Sequence, residues 1–474
     1  MIFRLGYDFI DDDSPNEAHI AKFGTDTAFF RPNGTLNYDK AVRTAFSYLL
    51  PQWIGDLVRA AGHDYRKLST DKCCELTIND PKYAGWKWIY TLEPLGDPRG
   101  WFGYEQGWYD GTKRIKIVDS LLSGVSETAL NSIRKEEALL CVWHAQEAPE
   151  IPNLNLWEEF HKELKSKNIN PSNFLFVIGN LKAKNQYRYW KKNSKYKNEK
   201  NINIIELSVH RHAIHTERIQ SKWKEFAQFD ENKKINKKFL LFQRSIIAPH
   251  RMLLLSMLYE RDLISSGMIS CRKIEPEDYE IFRQNLRVHF NFWGGKYEDR
   301  IFVNEKLKTL KEIEPMTPMI VDVENIFAAG GTGKDNHAET LNIFPYEQTL
   351  FSLISETNFT QNTLFITQST WKAVLNRHPF IIAGNPGVIK YLRNEGFKTF
   401  HPYIDESYDE IKNPYKRMVM IIDEVERLSK LNDEESKQFL INIRDIVDYN
   451  YDKLLSDKKR LDKLVKELTR RIKL

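Results

Sequence analysis

Apolar and polar positions alternate along the middle of the chain in a way that predicts strands and helices in turn. The segments 138–143, 174–178 and 202–207 are apolar runs of buried-strand length, whereas 156–167 has the spacing of an amphipathic helix. Strands that alternate with helices of this length form parallel sheets covered by helices. The pattern therefore predicts a first α/β half over residues 131–235.

The same alternation continues after a polar and basic linker at 232–238. It predicts, in order, strand 238–244, helix 251–259, helix 346–356, helix 370–377, strand 379–383 and helix 388–394. Gly384, Asn385, Pro386 and Gly387 form a turn after the last strand. Backbone N–H groups of such a turn can face a phosphate or a sugar, although an ordinary structural crossover would show the same pattern.

The two ends of the chain differ from this pattern. Residues 1–130 are rich in aromatic side chains and are predicted to be irregular, with scattered short strands, and to pack on the first half. The second half covers 236–425, and 426–474 is predicted to be helical. The last helix has an apolar stripe opposite a face rich in lysine and arginine, formed by Leu461, Leu464, Val465, Leu468 and Ile472. We expect this helix to dock on the body of the protein rather than on a membrane or a nucleic acid.

Composition narrows the class of protein. The chain has 474 residues, of which 41% are hydrophobic, and its mean hydropathy of −0.53 is typical of a soluble globular protein. No apolar run approaches the ~20 residues of a membrane span, and the N-terminus has no basic-then-apolar signal. The four cysteines show no metal-ligand spacing, so a reduced cytoplasmic protein is expected.

Three further motifs are too incomplete to predict a site. Residues 328–335 resemble a phosphate-binding loop but lack its first glycine and the Ser/Thr that follows its lysine. His210, His212 and His215 have no accompanying carboxylate motif, and the acidic triplet at 11–13 does not follow a clear strand. We therefore expect neither a metal nor a cofactor.

The segment 365–409 resembles a known family. The matching positions are Thr370, Trp371, Lys372, 378–380, Gly384, 386–387, 392–393, 396–400 and 405–409. The segment is similar to the donor-binding part of GT-B glycosyltransferases, especially the fucosyltransferase-like and exostosin-like groups, and to glycosyltransferase-type proteins of bacteriophages and environmental viruses. Weaker similarity extends over about residues 90–425. The resemblance implies two Rossmann-like lobes that face a cleft, a nucleotide-sugar donor, and hexosyl or pentosyl transfer without a metal.

On the donor side, Arg244 follows a predicted buried strand, and His250 and Arg251 begin the next helix. Cations and helix N–H groups would therefore converge on one point suited to a diphosphate. Glu356 would either bind a sugar or ribose hydroxyl or cap the following loop. The resemblance implies further donor contacts at Gln368, Ser369, Thr370, Lys372, Gly384, Asn385 and Gly387. The family usually has Glu-Lys in place of Gln368-Ser369, so a non-catalytic binding protein on a decayed transferase fold remains an alternative.

On the acceptor side, Glu147 and His144 follow the predicted strand 138–143. They are the first and second choices for the base that takes the proton of the acceptor hydroxyl in an inverting transfer. A loop that only caps the next helix would place them in the same way.

A basic segment at 182–200 favours DNA as the acceptor. It has eight Lys/Arg residues against one acidic residue, interleaved with four aromatic side chains, a mixture suited to phosphates and stackable bases. The predicted nucleic-acid contacts are Lys182, Lys184, Arg188, Lys191 and Lys192. The favoured acceptor is a hydroxymethylated pyrimidine in double-stranded phage DNA. A solvated surface, and a transferase for a surface or capsule glycan, are the alternatives.

Overall fold

A computed structural model describes residues 2–7, 50–92, 102, 106–107, 114–115, 120–145, 148, 155–221, 223–243, 246, 248–289, 297–321, 341–457 and 459–473. The chain divides into two compact units, which are Met1–Glu217 with Lys458–Leu474, and Arg218–Asp457. Each unit contains one parallel sheet with connecting helices, so the predicted α/β class with two Rossmann-like sheets is confirmed. The division between the units lies nearer the N-terminus than the predicted boundary at 235, and the last helix belongs to the first unit.

Among the described residues of the first unit, six parallel strands form a sheet in the order β2-β1-β3-β6-β7-β8. The strands of this unit, including a separate antiparallel pair β4–β5, are β1 (Ile2–Tyr7), β2 (Asp64–Ser69), β3 (Trp88–Leu92), β4 (Gln106–Gly107), β5 (Arg114–Ile115), β6 (Ala138–His144), β7 (Phe174–Ile178) and β8 (Asn203–Glu206). The helices up to the boundary are α1 (Leu50–Ala60), α2 (Thr70–Asn79), α3 (Glu127–Arg134), α4 (Leu156–Ser166), α5 (Ala183–Asn193), α6 (Val209–Ala213) and α7 (Glu217–Gln220).

The described part of the N-terminal region is more regular than the sequence predicted, because β1, β2 and β3 form half of this sheet. A buried arginine interrupts the apolar pattern of β1, the second strand of the sheet. Arg4 is 3% exposed, its Nη1 donates to Thr77 Oγ1 at 2.6 Å, and its Nη2 donates to the Trp86 carbonyl oxygen at 2.7 Å. A buried cation is tolerated when its donors are satisfied, and that condition depends on residues more than 70 positions away.

In the part of the second unit that the structure describes, four parallel strands form a sheet in the order β10-β9-β11-β12. The strands are β9 (Lys237–Phe242), β10 (Gly267–Ser270), β11 (Thr349–Ser355) and β12 (Phe380–Ala383). The helices are α8 (Pro249–Glu260), α9 (Pro276–His289), α10 (Tyr297–Ile313), α11 (Phe344–Glu347), α12 (Gln368–Leu375), α13 (Val388–Asn394), α14 (Pro414–Ser429) and α15 (Asp433–Ser456).

The helix predicted over 346–356 is wrong, since most of that segment is strand β11. All seven residues of β11 are buried, and the strand lies between β9 and β12 in the sheet. The polar residues of this strand, Thr349, Ser352 and Ser355, recur at every third position, a spacing that also fits one side of a helix.

The last helix, α16 (Lys459–Ile472), docks on the first unit as predicted. Its apolar stripe packs into the same core as Phe3, Leu5 and Ile54, and the Ile472 carbonyl oxygen accepts a hydrogen bond of 2.7 Å from the Lys87 N–H. The five stripe residues are between 1% and 8% exposed. The buried stripe therefore belongs to the protein core.

Candidate functional site

The strand order of the second unit reverses between β9 and β11, and polar side chains converge there. Leu240 pairs with Ser352 in these parallel strands, so Gln243 and Ser355 leave the sheet side by side. In open α/β sheets, ligands bind at the carboxyl ends of the strands where the order reverses. This end of the sheet is therefore the candidate ligand site of the second unit.

Glu356 is at the centre of this convergence. It is fully buried, and its carboxylate accepts hydrogen bonds from the Thr367 N–H (3.0 Å to Oε2) and the Thr370 hydroxyl (2.7 Å to Oε1). Burial raises the pKa of this carboxyl, while the hydrogen bonds and the charge of Arg251 oppose the shift. A Cβ on Gly384 would lie 3.4 Å from the Glu356 Cβ, so the glycine lies directly beside it. Glu356 thus ties the end of β11 to the start of α12, as the capping alternative describes.

His250 joins the start of α8 to the same place. It is 3% exposed, and its Nε2 donates to the Glu356 carbonyl oxygen at 2.8 Å. Its ring stacks on Phe359, with 5.4 Å between ring centres and 11° between ring planes. The Arg417 guanidinium lies 4.2 Å from the centre of the same phenyl ring. These contacts hold α8 and the loop after β11 in a fixed position.

The N-terminus of α8 brings positive charge to the convergence. The helix begins with Pro249 after Ala248, which has no side-chain cap, and its first turn contains no acidic residue. Arg251 in that turn is half-buried, and its Nη2 donates to the Ser355 carbonyl oxygen at 3.4 Å. Burial lowers the pKa of Arg251, but an arginine remains charged at any ordinary pH. Helix N–H groups and an arginine together are suited to binding a diphosphate.

The glycine turn between β12 and α13 already holds an acidic side chain of this protein. Asp409 Oδ1 accepts hydrogen bonds from the N–H groups of Gly387 (3.1 Å) and Ile389 (3.0 Å), and Oδ2 accepts one from Lys390 (2.9 Å). Gly387 has a φ of +91°, which favours glycine. Asn385 is buried and donates to a loop carbonyl at 2.7 Å. In this conformation a carboxylate therefore uses the N–H groups that a phosphate at the α13 terminus would need.

The remaining predicted donor residues lie on α12. Gln368 and Ser369 are its first two residues and are half-buried, and the Ser369 N–H donates to the Thr367 hydroxyl at 3.3 Å. Lys372 is 2% exposed, with its Nζ 5.4 Å from the centre of the Trp223 ring. The buried Lys372 is a poor substitute for the positive charge that Ser369 does not provide.

The structure thus brings five of the predicted donor residues together, namely His250, Arg251, Glu356, Thr370 and Gly384. Arg244 lies outside the described residues. Sequence reasoning missed Gln243, whose Nε2 donates to the Arg251 carbonyl oxygen at 2.7 Å, and Asp409. Both lie within or next to segments that the resemblance had marked, but only the tertiary contacts show their roles.

In the first unit, the predicted base positions are described only in part. His144 is the last residue of β6 and is 7% exposed, and its carbonyl oxygen accepts a hydrogen bond from the Gly179 N–H at 3.2 Å. Glu147 lies outside the described residues. His144 is therefore at the carboxyl end of a central strand, as the sequence predicted.

The basic segment on and after α5 is built differently from a base-stacking surface. Tyr187 and Tyr196 are 4% and 6% exposed, and both rings pack against the buried His161, which lies 3.1 Å from the Tyr187 hydroxyl through its Nε2. Lys191 is 6% exposed, and its Nζ donates to the Glu199 carbonyl oxygen at 2.6 Å. Neither tyrosine presents a ring face to a base in this conformation.

The outer face of the same segment keeps part of the predicted surface. Tyr189 is 77% exposed, and Arg188 and Lys192 are exposed beside it. Lys182 and Lys184 are half-buried near the start of α5. The exposed cations and one exposed ring are what remains of the predicted nucleic-acid contacts.

Across the described ranges, no group of three His, Cys, Asp or Glu side chains is placed to hold a metal ion. No helix in the described part of the chain is both long and apolar enough to cross a membrane.

A cavity of about 410 Å³ lies along the edge strand β10 rather than at the convergence. Its lining residues are Ile264, Gly267, Met268, Ile269, Met319, Ile320, Val321 and Phe344. None of these side chains is polar, so among the lining residues only backbone groups could contact a phosphate or a sugar hydroxyl.

Comparisons with known proteins add little to this geometry. No protein-family profile and no curated protein matches the chain. The α,α-trehalose 6-phosphate synthase of Burkholderia multivorans aligns over 98% of this chain and 98% of its own, with 9% identity and a TM-score of 0.39. S. aureus MnaA, solved with UDP, aligns over 93% of this chain and 95% of its own, with 9% identity and a TM-score of 0.28. Scores this low carry no argument, and the class of fold rests on the strand order described above.

Proposed function

We propose that the protein is a glycosyltransferase that uses a nucleotide-sugar donor, whose diphosphate binds at the carboxyl ends of β9 and β11. The observation that carries the proposal is the convergence of Arg251, the uncapped start of α8 and the buried Glu356 at the point where the strand order reverses. The resemblance of segment 365–409 to GT-B donor domains supports the same end of the same unit.

The proposed chemistry needs positive charge for the leaving diphosphate. As the bond from the sugar to the diphosphate breaks, negative charge develops on the departing oxygen, and preorganised N–H groups and an arginine stabilise it. Glu356 acts on this site indirectly, because its oxygens already accept hydrogen bonds from Thr367 and Thr370. Its role is to fix the start of α12, and its carboxyl also interacts electrostatically with Arg251.

For an inverting transfer, a base takes the proton from the acceptor hydroxyl. His144 and Glu147 are our candidates, and a neutral imidazole is suited to that step near pH 7. His144 lies at the carboxyl end of β6 in the first unit. Replacing each in turn by an uncharged residue should lower turnover while leaving donor affinity unchanged.

Donor use is tested directly by a panel of nucleotide sugars. A ligand that binds the native state at a concentration of 100 times its Kd stabilises that state by about 2.7 kcal/mol, which thermal unfolding detects. We expect saturable stabilisation by one nucleotide or its sugars, and release of the nucleoside diphosphate when an acceptor is added. A flat response to every nucleotide sugar would refute the proposed function.

The acceptor is the finer part of the proposal. The exposed Arg188, Tyr189 and Lys192 support hydroxymethylated DNA, but the burial of Tyr187 and Tyr196 removes half of the aromatic side chains on which that prediction depended. Binding to duplex DNA through cations would weaken steeply between 50 and 200 mM salt. Salt-independent binding, or none, would favour a glycan acceptor instead.

A non-catalytic binding protein is the second candidate, and a specific observation favours it. Ser369 provides no positive charge, and Lys372 is buried against Trp223. If the protein binds a nucleotide sugar but releases no nucleoside diphosphate with any hydroxyl acceptor, including hydroxymethylated DNA and oligosaccharides, this candidate replaces the enzyme.

A further inference from the structure

Gln243 connects the end of β9 to the first turn of α8. Its backbone N–H donates to the Ser270 carbonyl oxygen at 2.8 Å, and its side-chain Nε2 donates to the Arg251 carbonyl oxygen at 2.7 Å. The residue is 0% exposed. Because a carbonyl oxygen only accepts, the Arg251 contact fixes which end of the amide is the NH2 group. Gln243 therefore sets where the charged start of α8 lies relative to the sheet.

The other end of this amide is unusual. Gln243 Oε1 is buried and accepts no hydrogen bond from any residue that the structure describes, and the same holds for the neighbouring Ser355 Oγ. Burying an unpaired polar atom costs ~1–3 kcal/mol. An apolar side chain of the same size would avoid that cost if filling space were all that the position required.

We propose that Gln243 is a positioning residue for an anionic ligand of the second unit. Its amide holds the first turn of α8 so that Arg251 and the helix N–H groups face the diphosphate. The inference rests on the proposed donor site. It requires a neutral hydrogen-bond donor at this position, since a carboxylate here would repel the Arg251 carbonyl oxygen and compete with the diphosphate for the Arg251 guanidinium.

The full-length protein is titrated with inorganic diphosphate, and separately with UDP and GDP, in its wild-type form and as Gln243→Glu and Gln243→Met. We expect Gln243→Glu to bind about 10-fold more weakly at pH 8, which corresponds to 1.4 kcal/mol. The deficit relative to the wild type should shrink as the pH is lowered to 5, because burial at this position raises the pKa of the new carboxyl and so favours its protonated form. Gln243→Met keeps the size, loses the donor, and should bind about 3-fold more weakly at either pH.

Gln438→Glu is the matched control, since it makes the same chemical change on the exposed surface of α15 and should bind like the wild type. Equal affinity of Gln243→Glu and the wild type at pH 8 would overturn the inference. The inference would also be overturned if both Gln243 variants lost the same ligand affinity at every pH and lost the same thermal stability, because a merely structural role predicts that result.

The two proposals fail in different ways. If the wild type binds inorganic diphosphate but no nucleoside diphosphate or nucleotide sugar, the proposed function falls, while the pH-dependent deficit of Gln243→Glu still supports the positioning role. If the wild type binds nucleotides and Gln243→Glu binds them equally well, only the positioning role falls. If it binds neither kind of ligand, both are overturned.

Discussion

Two glutamates, one in each unit, have the same structural contact in different surroundings. Glu206 ends β8 and accepts a hydrogen bond from the Lys184 N–H at the start of α5 (2.8 Å), while Glu356 accepts one from the Thr367 N–H at the start of α12 (3.0 Å). Burial raises the pKa of both carboxyls. Glu206 is half-buried, whereas Glu356 is fully buried beside Arg251. Only Glu356 depends entirely on protein groups for its stabilisation.

The two sheets also differ in the charged groups at the point where their strand order reverses. Both reverse their strand order, in the first unit between β1 and β3 and in the second between β9 and β11. The described residues at the first reversal are uncharged, and Thr91 donates to the Gly6 carbonyl oxygen there at 3.3 Å. At the second reversal, Arg251 donates to the Ser355 carbonyl oxygen, and burial raises the pKa of the Glu356 carboxyl while the charge of Arg251 lowers it. Shared topology therefore provides the place for a ligand, and the local charges decide whether the place can bind an anion.

The largest expected effect is a difference in the unfolding free energy lost when Glu356 or Glu206 is replaced by glutamine. Glu356→Gln places an NH2 group against the Thr367 N–H, so we expect a loss of about 2–3 kcal/mol at pH 7. Glu206→Gln should cost less than about 1 kcal/mol, because water reaches that half-buried carboxylate. Urea unfolding of the two variants measures both values, and equal losses would show that Glu356 and Glu206 contribute equally to stability.

The next effect separates the two units by ligand affinity. Arg251→Gln should weaken binding of the nucleotide donor about 30-fold, since a hydrogen bond to a charged group contributes about 2 kcal/mol. Arg188→Gln in the first unit removes the same charge and should change donor affinity less than about 2-fold. Lys437→Gln on α15 controls for the loss of a positive charge in the second unit. Titration calorimetry gives the three ratios, and a large effect of Arg188→Gln would place the donor in the other unit.

A smaller effect tests the competing anion site within the second unit. Asp409→Asn keeps the shape of the side chain but removes the charge that caps α13, so we expect about 1 kcal/mol of lost stability and no gain in donor affinity. If the donor's phosphates instead bind the Gly387 turn, releasing these N–H groups from a competing carboxylate should tighten donor binding. A tighter complex would therefore move the site from α8 to α13.

The smallest effect is in the pH dependence. Because the pKa of Glu356 is raised in the folded protein, its contribution to stability is complete below the pKa of an unfolded glutamate, ~4.3, and is lost as the pH rises through the folded value. Glu356→Gln has no such titration. The difference in unfolding free energy between wild type and Glu356→Gln should therefore be larger at pH 4 than at pH 7. An unchanged difference would show that burial does not control this carboxyl.

Much of the architecture could be predicted from local pattern alone. The strands β6, β7, β9 and β12 and the docked α16 were predicted close to their observed positions, because each combines an apolar run or stripe with clear boundaries. β1 and β11 were missed for different reasons. Arg4 interrupts β1 and is stabilised by distant residues. β11 is buried on both faces by sheet neighbours and helices, but its polar residues recur at every third position, as in a helix.

The candidate site could likewise be predicted only in part from the sequence. The sequence by itself determined that His250 and Arg251 begin a helix after a buried run, whereas it placed Glu356 at the end of one predicted helix and Thr370 at the start of another. Only the tertiary structure decided which of them meet. Asp409 accepts a hydrogen bond from Gly387, 22 positions before it, and Gln243 donates one to Arg251, 8 positions after it. The rings of Tyr187 and Tyr196 pack inward against His161. A linear pattern records polarity and spacing, whereas capping, pairing and burial depend on which segments the fold brings into contact.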